Sequence, residues 1–140
     1  MTDKKVLNLI VPAKAEYLSL VRLVVSAAAQ NLGYEEDSIA DIKVALSEAS
    51  TNVVRHAYFE STDRQERTIE ISCFDGQGDF KVEVLDRGHG MPLPPPPSEG
   101  LGFGIMGSLM DKVDVETSDC GTAVLLVKHA GAGRERTPQA

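Results

Sequence analysis

Apolar and polar positions change period along this chain, and each stretch predicts one kind of element. Residues 5–11, Lys-Val-Leu-Asn-Leu-Ile-Val, form a short apolar run stopped by Pro12, the pattern of a strand. From Glu16 to Leu32 the spacing is helical, and Gly33 stands where a C-terminal cap belongs. Between Tyr17 and Ala29 this helix carries one charge, Arg22, and is apolar nearly all round, whereas a surface helix shows a single apolar stripe. It is either an Ala-rich core helix or one covered on both sides, the second time at a subunit interface. A second helix is predicted over residues 36–58, where Ile39, Ile42, Leu46, Ala49 and Val53 fall 3, 4, 3 and 4 apart. Residues 68–74 and 80–85 alternate with period two around Asp75-Gly76-Gln77-Gly78-Asp79 and read as a hairpin. After residues 86–91 comes a loop with four successive prolines, 94–97, and then residues 100–104 lead into a short helix to about residue 111. A second hairpin joins 112–117 to 122–128 across residues 118–121, and the polar stretch 130–140 is expected to be a disordered tail.

Strand, two helices, hairpin, loop, short helix and hairpin, in that order, predict an α+β two-layer sandwich with helices packed on one face of a mixed sheet. One domain over residues 1–129 accounts for the pattern. The chain has 140 residues, and at that size a single core buries roughly 68–70% of the unfolded surface without metal or disulfide staples. Only 5% of residues are aromatic and none is Trp, so that core is expected to be aliphatic. Acidic residues outnumber basic ones 21 to 14, and no basic stripe is visible, which argues against nucleic acid as the partner. The apolar run behind Lys4-Lys5 imitates a signal peptide but is six residues long and broken by Asn8, and no stretch approaches the ~18 apolar residues of a membrane span. Cys73 and Cys120 lack ligand spacing for zinc and read as reduced thiols. The expected location is cytoplasmic.

Three clusters carry candidate chemistry. Glu48, Asn52 and His56 are spaced by four on the second helix, drift about 40° per step and so form one polar stripe beside the apolar one. A carboxylate one turn from a carboxamide suits activation of a hydroxyl next to a hard cation held through oxygen, though a solvated helix face has the same letters. Asp86-x-Gly88-x-Gly90 ends a strand; the glycines allow a flat ligand close to the backbone, and a buried Asp there accepts hydrogen bonds from an amino-heterocycle, unless this is an ordinary Asp/Gly turn. Gly100-Leu101-Gly102-Phe103-Gly104 opens a helix, where backbone amides bind phosphate. Residues 102–107 also match G-x-G-x-x-G, but that fingerprint follows a strand and here follows polyproline, so a dinucleotide-dependent oxidoreductase is rejected. No P-loop is present.

Taken together, and with Gly121-Thr122 in a late turn, these clusters resemble the GHKL ATPases, the superfamily of gyrase, heat-shock chaperones, histidine kinases and MutL. Within it the phrases Ser47-Glu48-Ala49-Ser50-Thr51-Asn52 and Ser98-Glu99-Gly100-Leu101-Gly102 resemble the bacterial anti-sigma-factor serine kinases, over roughly residues 5–129. The resemblance implies ATP or ADP and Mg²⁺ as cofactors, with Asn52 holding the Mg²⁺ and Glu48 as general base toward an incoming serine hydroxyl or water. It further implies that Asp86 reads the adenine amino group, that Gly88 and Gly90 clear space around the ring, and that Thr122 supports the adenine contact through water. Gly100, Gly102 and Gly104 would cradle phosphates at a helix start. His56 fits the pattern loosely and reads as structural; His89 and His129 carry no special signal.

The implied function is a protein-serine kinase and anti-sigma factor that switches partners, binding a sigma factor in one state and phosphorylating a STAS-type anti-anti-sigma protein in another. Residues 91–101 hold no Lys or Arg, only Glu99, whereas some relatives place a basic residue in this lid; Arg87 or a partner's group is the candidate to compensate. The prolines should also hold the lid extended. The runner-up is a nucleotide-binding regulatory module without kinase activity. Arg22 is the candidate partner contact, its alternative being an arginine whose stem packs while its head stays in water. A homodimer is expected from the apolar first helix.

Overall fold

The computed structural model describes residues 3–130, so the tail expected over 130–140 lies, from residue 131 on, outside the described residues. Strand β1 (Lys4–Pro12) leads through a 3₁₀ turn, Ala15–Tyr17, into helix α1 (Leu18–Asn31). The amides of Gly33 and Tyr34 donate back to the carbonyls of Gln30 and Ala29, at 2.9 and 3.1 Å, the Schellman closure that Gly33 announces. Helix α1 buries Leu18, Val21, Val25 and Ala29 and leaves Leu20 and Leu23 exposed, so within this chain it is covered on one side.

Helix α2 (Glu36–Asn52) buries Ile42, Ala45, Leu46 and Ala49, with Ile39 packed against their margin. The apolar spacing predicts one α-helix to residue 58; instead the chain widens into a π-turn, Val53–Ala57. The extra residue in that turn turns the Ala57 carbonyl outward, where it accepts the His89 N–H at 3.0 Å. Strands β2 (Thr68–Asp75) and β3 (Asp79–Asp86) form the first hairpin, and β4 (Lys112–Ser118) and β5 (Gly121–His129) the second.

Helix α3 (Pro97–Leu109) lies between the hairpins and begins ahead of its glycines rather than after them. Pro96, extended at φ −61° and ψ 157°, serves as N-cap, and proline's fixed φ suits Pro97 to the first helical position. The price of this start is that Gly100, Gly102 and Gly104 fall inside the helix, where each costs about 0.8–1 kcal/mol relative to alanine.

The five strands are ordered β1-β2-β3-β5-β4, and every neighbouring pair is antiparallel. The expected mixed sheet is therefore corrected to an antiparallel one. The crossover through α3 does return β4 parallel to β3, but β5 inserts between them and removes the parallel pairing. The helices cover one face, against Ile69, Ile71, Phe80, Val82, Val84, Val124 and Leu126; Glu70, Lys81, Glu83 and Glu116 alternate with apolar residues toward the other. Aliphatic side chains dominate the core, as the composition requires. Cys73 lies within it, and burial pushes its thiol up to about 12, while Cys120 is exposed; both are free. Among the described residues no helix is long and apolar enough to cross a membrane.

Candidate functional site

The sheet register assembles one end of the site. Asp86 closes β3 directly opposite Thr122 at the start of β5, and Thr122 in turn faces Thr117 at the end of β4. Asp86 is buried, and its Oδ1 accepts the backbone N–H of Gly88 at 2.9 Å and of Thr122 at 3.3 Å. Burial raises the carboxyl above its ordinary pKa of 3.8, and the two N–H donors offset part of that rise. Both backbone bonds use Oδ1, which leaves the second oxygen for a ligand. The hydroxyls of Thr117 and Thr122 lie 2.9 Å apart, and Thr117 Oγ1 accepts the Met91 N–H at 3.0 Å, tying the loop after β3 to the second hairpin.

Two glycines of the Asp86 motif are dictated by space. A Cβ on Gly88 would stand 1.8 Å from the Ala57 carbonyl oxygen of the π-turn, so only glycine lets loop and helix end meet there. Gly90 has φ 80° and would set a Cβ 2.1 Å from the Ser118 carbonyl.

Above these strand ends lies a cavity of about 210 Å³ between α2, the sheet and α3. Asp86, Gly90 and Thr122 line one end of it, and Asn52, His56 and Glu99 line another part of its wall. Of the residues singled out in the sequence, Asn52, Asp86, Gly90 and Thr122 lie together on this cavity, and Gly88 donates its amide to Asp86. Glu48 and the three α3 glycines are not among its lining residues. Helix α3 packs onto α2 so closely that a Cβ on Gly102 would lie 2.9 Å from Glu48 Oε1 and 3.9 Å from Asn52 Nδ2. Glu99 and Gly100 both donate their amides to the Pro96 carbonyl, at 2.9 and 2.8 Å, so these amides serve the helix in this form.

Several cavity residues carried no signal in the sequence. His89 lines the cavity and stacks on the exposed ring of Phe59, centroids 4.1 Å apart and planes at 19°. Phe103 contributes apolar wall, and Thr117, outside the lining, hydrogen-bonds the lining Thr122. Thr117 was reachable, since the predicted hairpin sets it opposite Thr122. His56, read as structural, lines the cavity with Nδ1 3.5 Å from Glu99 Oε1. Arg87 does not supply the missing lid cation: its side chain is exposed, 3.7 Å from Glu70, and no Lys or Arg is among the cavity's lining residues. Arg22 is half-buried, with its guanidinium 3.5 Å from Ser47 Oγ on α2.

Residues 11–128 match the histidine kinase-like ATPase domain family. Serine-protein kinase RsbW of Bacillus thuringiensis (strain Al Hakam) is 35% identical over 131 residues, covering 85% of this chain and 81% of its own length. RsbW of Bacillus cereus (strain 03BB102) gives the same figures. Among solved structures, the RsbU and RsbW domains of a Mycobacterium tuberculosis protein superpose with a TM-score of 0.67 at 22% identity, over 88% of this chain and 32% of that longer one. The SiaB–SiaC complex of Pseudomonas aeruginosa superposes with a TM-score of 0.66 at 9% identity, over 89% of both chains, a likeness of fold alone.

Asp86→Asn keeps an acceptor for the two backbone amides but turns the ligand-facing oxygen into a donor. Were the free oxygen of Asp86 to accept from an adenine amino group, loss of that bond would weaken adenosine binding about 10- to 100-fold, read by calorimetry. Because the folded pKa of Asp86 lies above its unfolded value, the folded state binds more protons between the two, and wild-type stability falls as pH rises through that window. Thermal unfolding across pH should show that contribution vanish in Asp86→Asn; an unchanged profile together with unchanged adenosine affinity would contradict the assignment.

Proposed function

The chain belongs to the histidine kinase-like ATPase domain family, and from that premise we infer an ATP-dependent protein-serine kinase that works as an anti-sigma factor. The observation that carries the nucleotide reading is the buried Asp86 carboxylate, held by two backbone amides at the end of a cavity large enough for a ring and lined by Gly90 and Thr122. In this reading Asp86 accepts the adenine amino group, Thr122 supports it through water, and Gly88 and Gly90 give the ring access.

A hard cation fits the other part of the cavity. Asn52 lines it with a carboxamide whose oxygen is the kind of ligand that suits Mg²⁺, while its Nδ2, buried without a partner, is a donor left for a phosphate oxygen. Bound Mg²⁺ would neutralise charge on the triphosphate, which phosphoryl transfer requires more than covalent chemistry. Asn52 would hold the ion, and Glu48, one turn earlier on α2, would draw the proton from a serine hydroxyl. For Glu48 to reach a γ-phosphate, the first turns of α3 must move off it; with glycine at positions 100, 102 and 104 those turns are the weakest helix in the fold. The same movement frees their amides for phosphate.

The partners inferred are a sigma factor and a STAS-type anti-anti-sigma protein that is the phosphorylated substrate. Arg22 is favoured as a partner contact because it is the one charge on the otherwise apolar stretch of α1 and is only half-buried. A homodimer is favoured by the uncovered face of α1, where Leu20 is 43% and Leu23 67% exposed.

Incubation with ATP, Mg²⁺ and the cognate anti-anti-sigma protein should give phosphoserine on that protein. Glu48→Gln should slow its formation about 10²-fold or more while ATP still binds. Phosphoserine formed at the wild-type rate by Glu48→Gln would remove Glu48 as the base, and none from the wild type would leave a nucleotide-binding regulator without kinase activity. Light scattering at micromolar concentration should report a dimer; a monomer with and without nucleotide would contradict it.

A further inference from the structure

One side of α3 faces the polar stripe of α2. Glu99 and Gly102, three apart and so on one helical face, look toward Glu48, Asn52 and His56. Glu99 is 6% exposed, lines the cavity, and its Oε2 is buried with no hydrogen-bond partner; its Oε1 has only the half-exposed His56 ring at 3.5 Å. Buried carboxylates normally have their oxygens satisfied, whereas no hydrogen-bond donor offsets the charge on this oxygen.

The charges around it define the constraint. Among the described residues, Asp86 and Glu99 are the carboxylates and His56 and His89 the imidazoles that line the cavity, and no Lys or Arg lines it. A bare polyphosphate entering such a space meets like charge in a partly desolvated setting, where Coulomb repulsion is poorly screened. We propose that Glu99 makes nucleotide binding depend on a divalent cation: its buried carboxylate rejects a metal-free polyphosphate and admits one whose charge a cation has neutralised. This rests on the nucleotide reading above. Glu99 acts here as a specificity-determining residue, selecting the metal-bound form of the nucleotide through charge and through its place on the α3 face that closes over Asn52.

The test is calorimetric titration of the full chain with ATP in EDTA and with ATP in excess Mg²⁺, for wild type, Glu99→Gln and Glu99→Ala. The ratio of the two dissociation constants is the readout. Both titrations start from the same nucleotide-free protein, so any change in how firmly α3 is docked cancels. In both variants the ratio should fall by about fivefold or more, because metal-free ATP binds more tightly. An unchanged ratio overturns the proposal while leaving the nucleotide site intact. A ratio that falls only because Mg²⁺-ATP binds more weakly also overturns it, since Glu99 would then be a ligand of the ion. Wild type that binds ATP in neither condition overturns the nucleotide reading and this inference with it.

Discussion

The site depends on a single buried carboxylate kept in register. Asp86 stays ionisable in a desolvated position because two backbone amides, from Gly88 and Thr122, converge on one of its oxygens. That convergence exists only while β3 and β5 pair with Asp86 opposite Thr122, and a slip of one residue would send every side chain of β3 to the other face. The same register brings Thr117 to Thr122 and, through Met91, fixes the loop that follows β3. Gly88, pressed against the Ala57 carbonyl, couples this sheet corner to the end of α2 that carries Asn52 and His56. Core packing, hairpin pairing and helix termination thus meet at one group.

Much of this was legible in the sequence, because it rests on local periodicity. The stripe of Ile39, Ile42, Leu46 and Ala49 specified the buried side of α2, and period-two alternation specified both hairpins and with them the pairing of Thr117 and Thr122, though not the β3–β5 contact that sets Asp86 opposite Thr122. What escaped was set by tertiary contact. The π-turn at Val53–Ala57 answers to the loop it must meet, not to its own residues. Polyproline pointed to an extended lid, yet Pro97 proved to be a helix start, which drew Glu99 and the glycines into α3. The sheet's antiparallel character turned on where β5 inserts, a choice no local pattern encodes. Arg87 and His89, adjacent to a readable motif, diverged in direction: one lies beside Glu70 on the surface, the other stacks on Phe59 at the cavity.

The form described here has the lid helix docked, with Gly102 against Glu48 and Glu99 buried beside His56. Its glycines weaken the helix and its buried acid sets a charge condition on entry, so the element that covers the site is also poised to leave it. An element that both covers the site and carries several glycines is one that nucleotide and partner could bias in common.

The central claim, that Asp86 reads an adenine amino group, is tested most directly by titrating the wild-type chain with Mg²⁺-ATP and Mg²⁺-GTP. Guanine presents a carbonyl where adenine presents an amino group, and a carbonyl facing the Asp86 carboxylate leaves two acceptors opposed without a proton. ATP should bind, and GTP about 100-fold more weakly or not at all. Equal affinity for the two would show that Asp86 does not contact the base and would contradict the account.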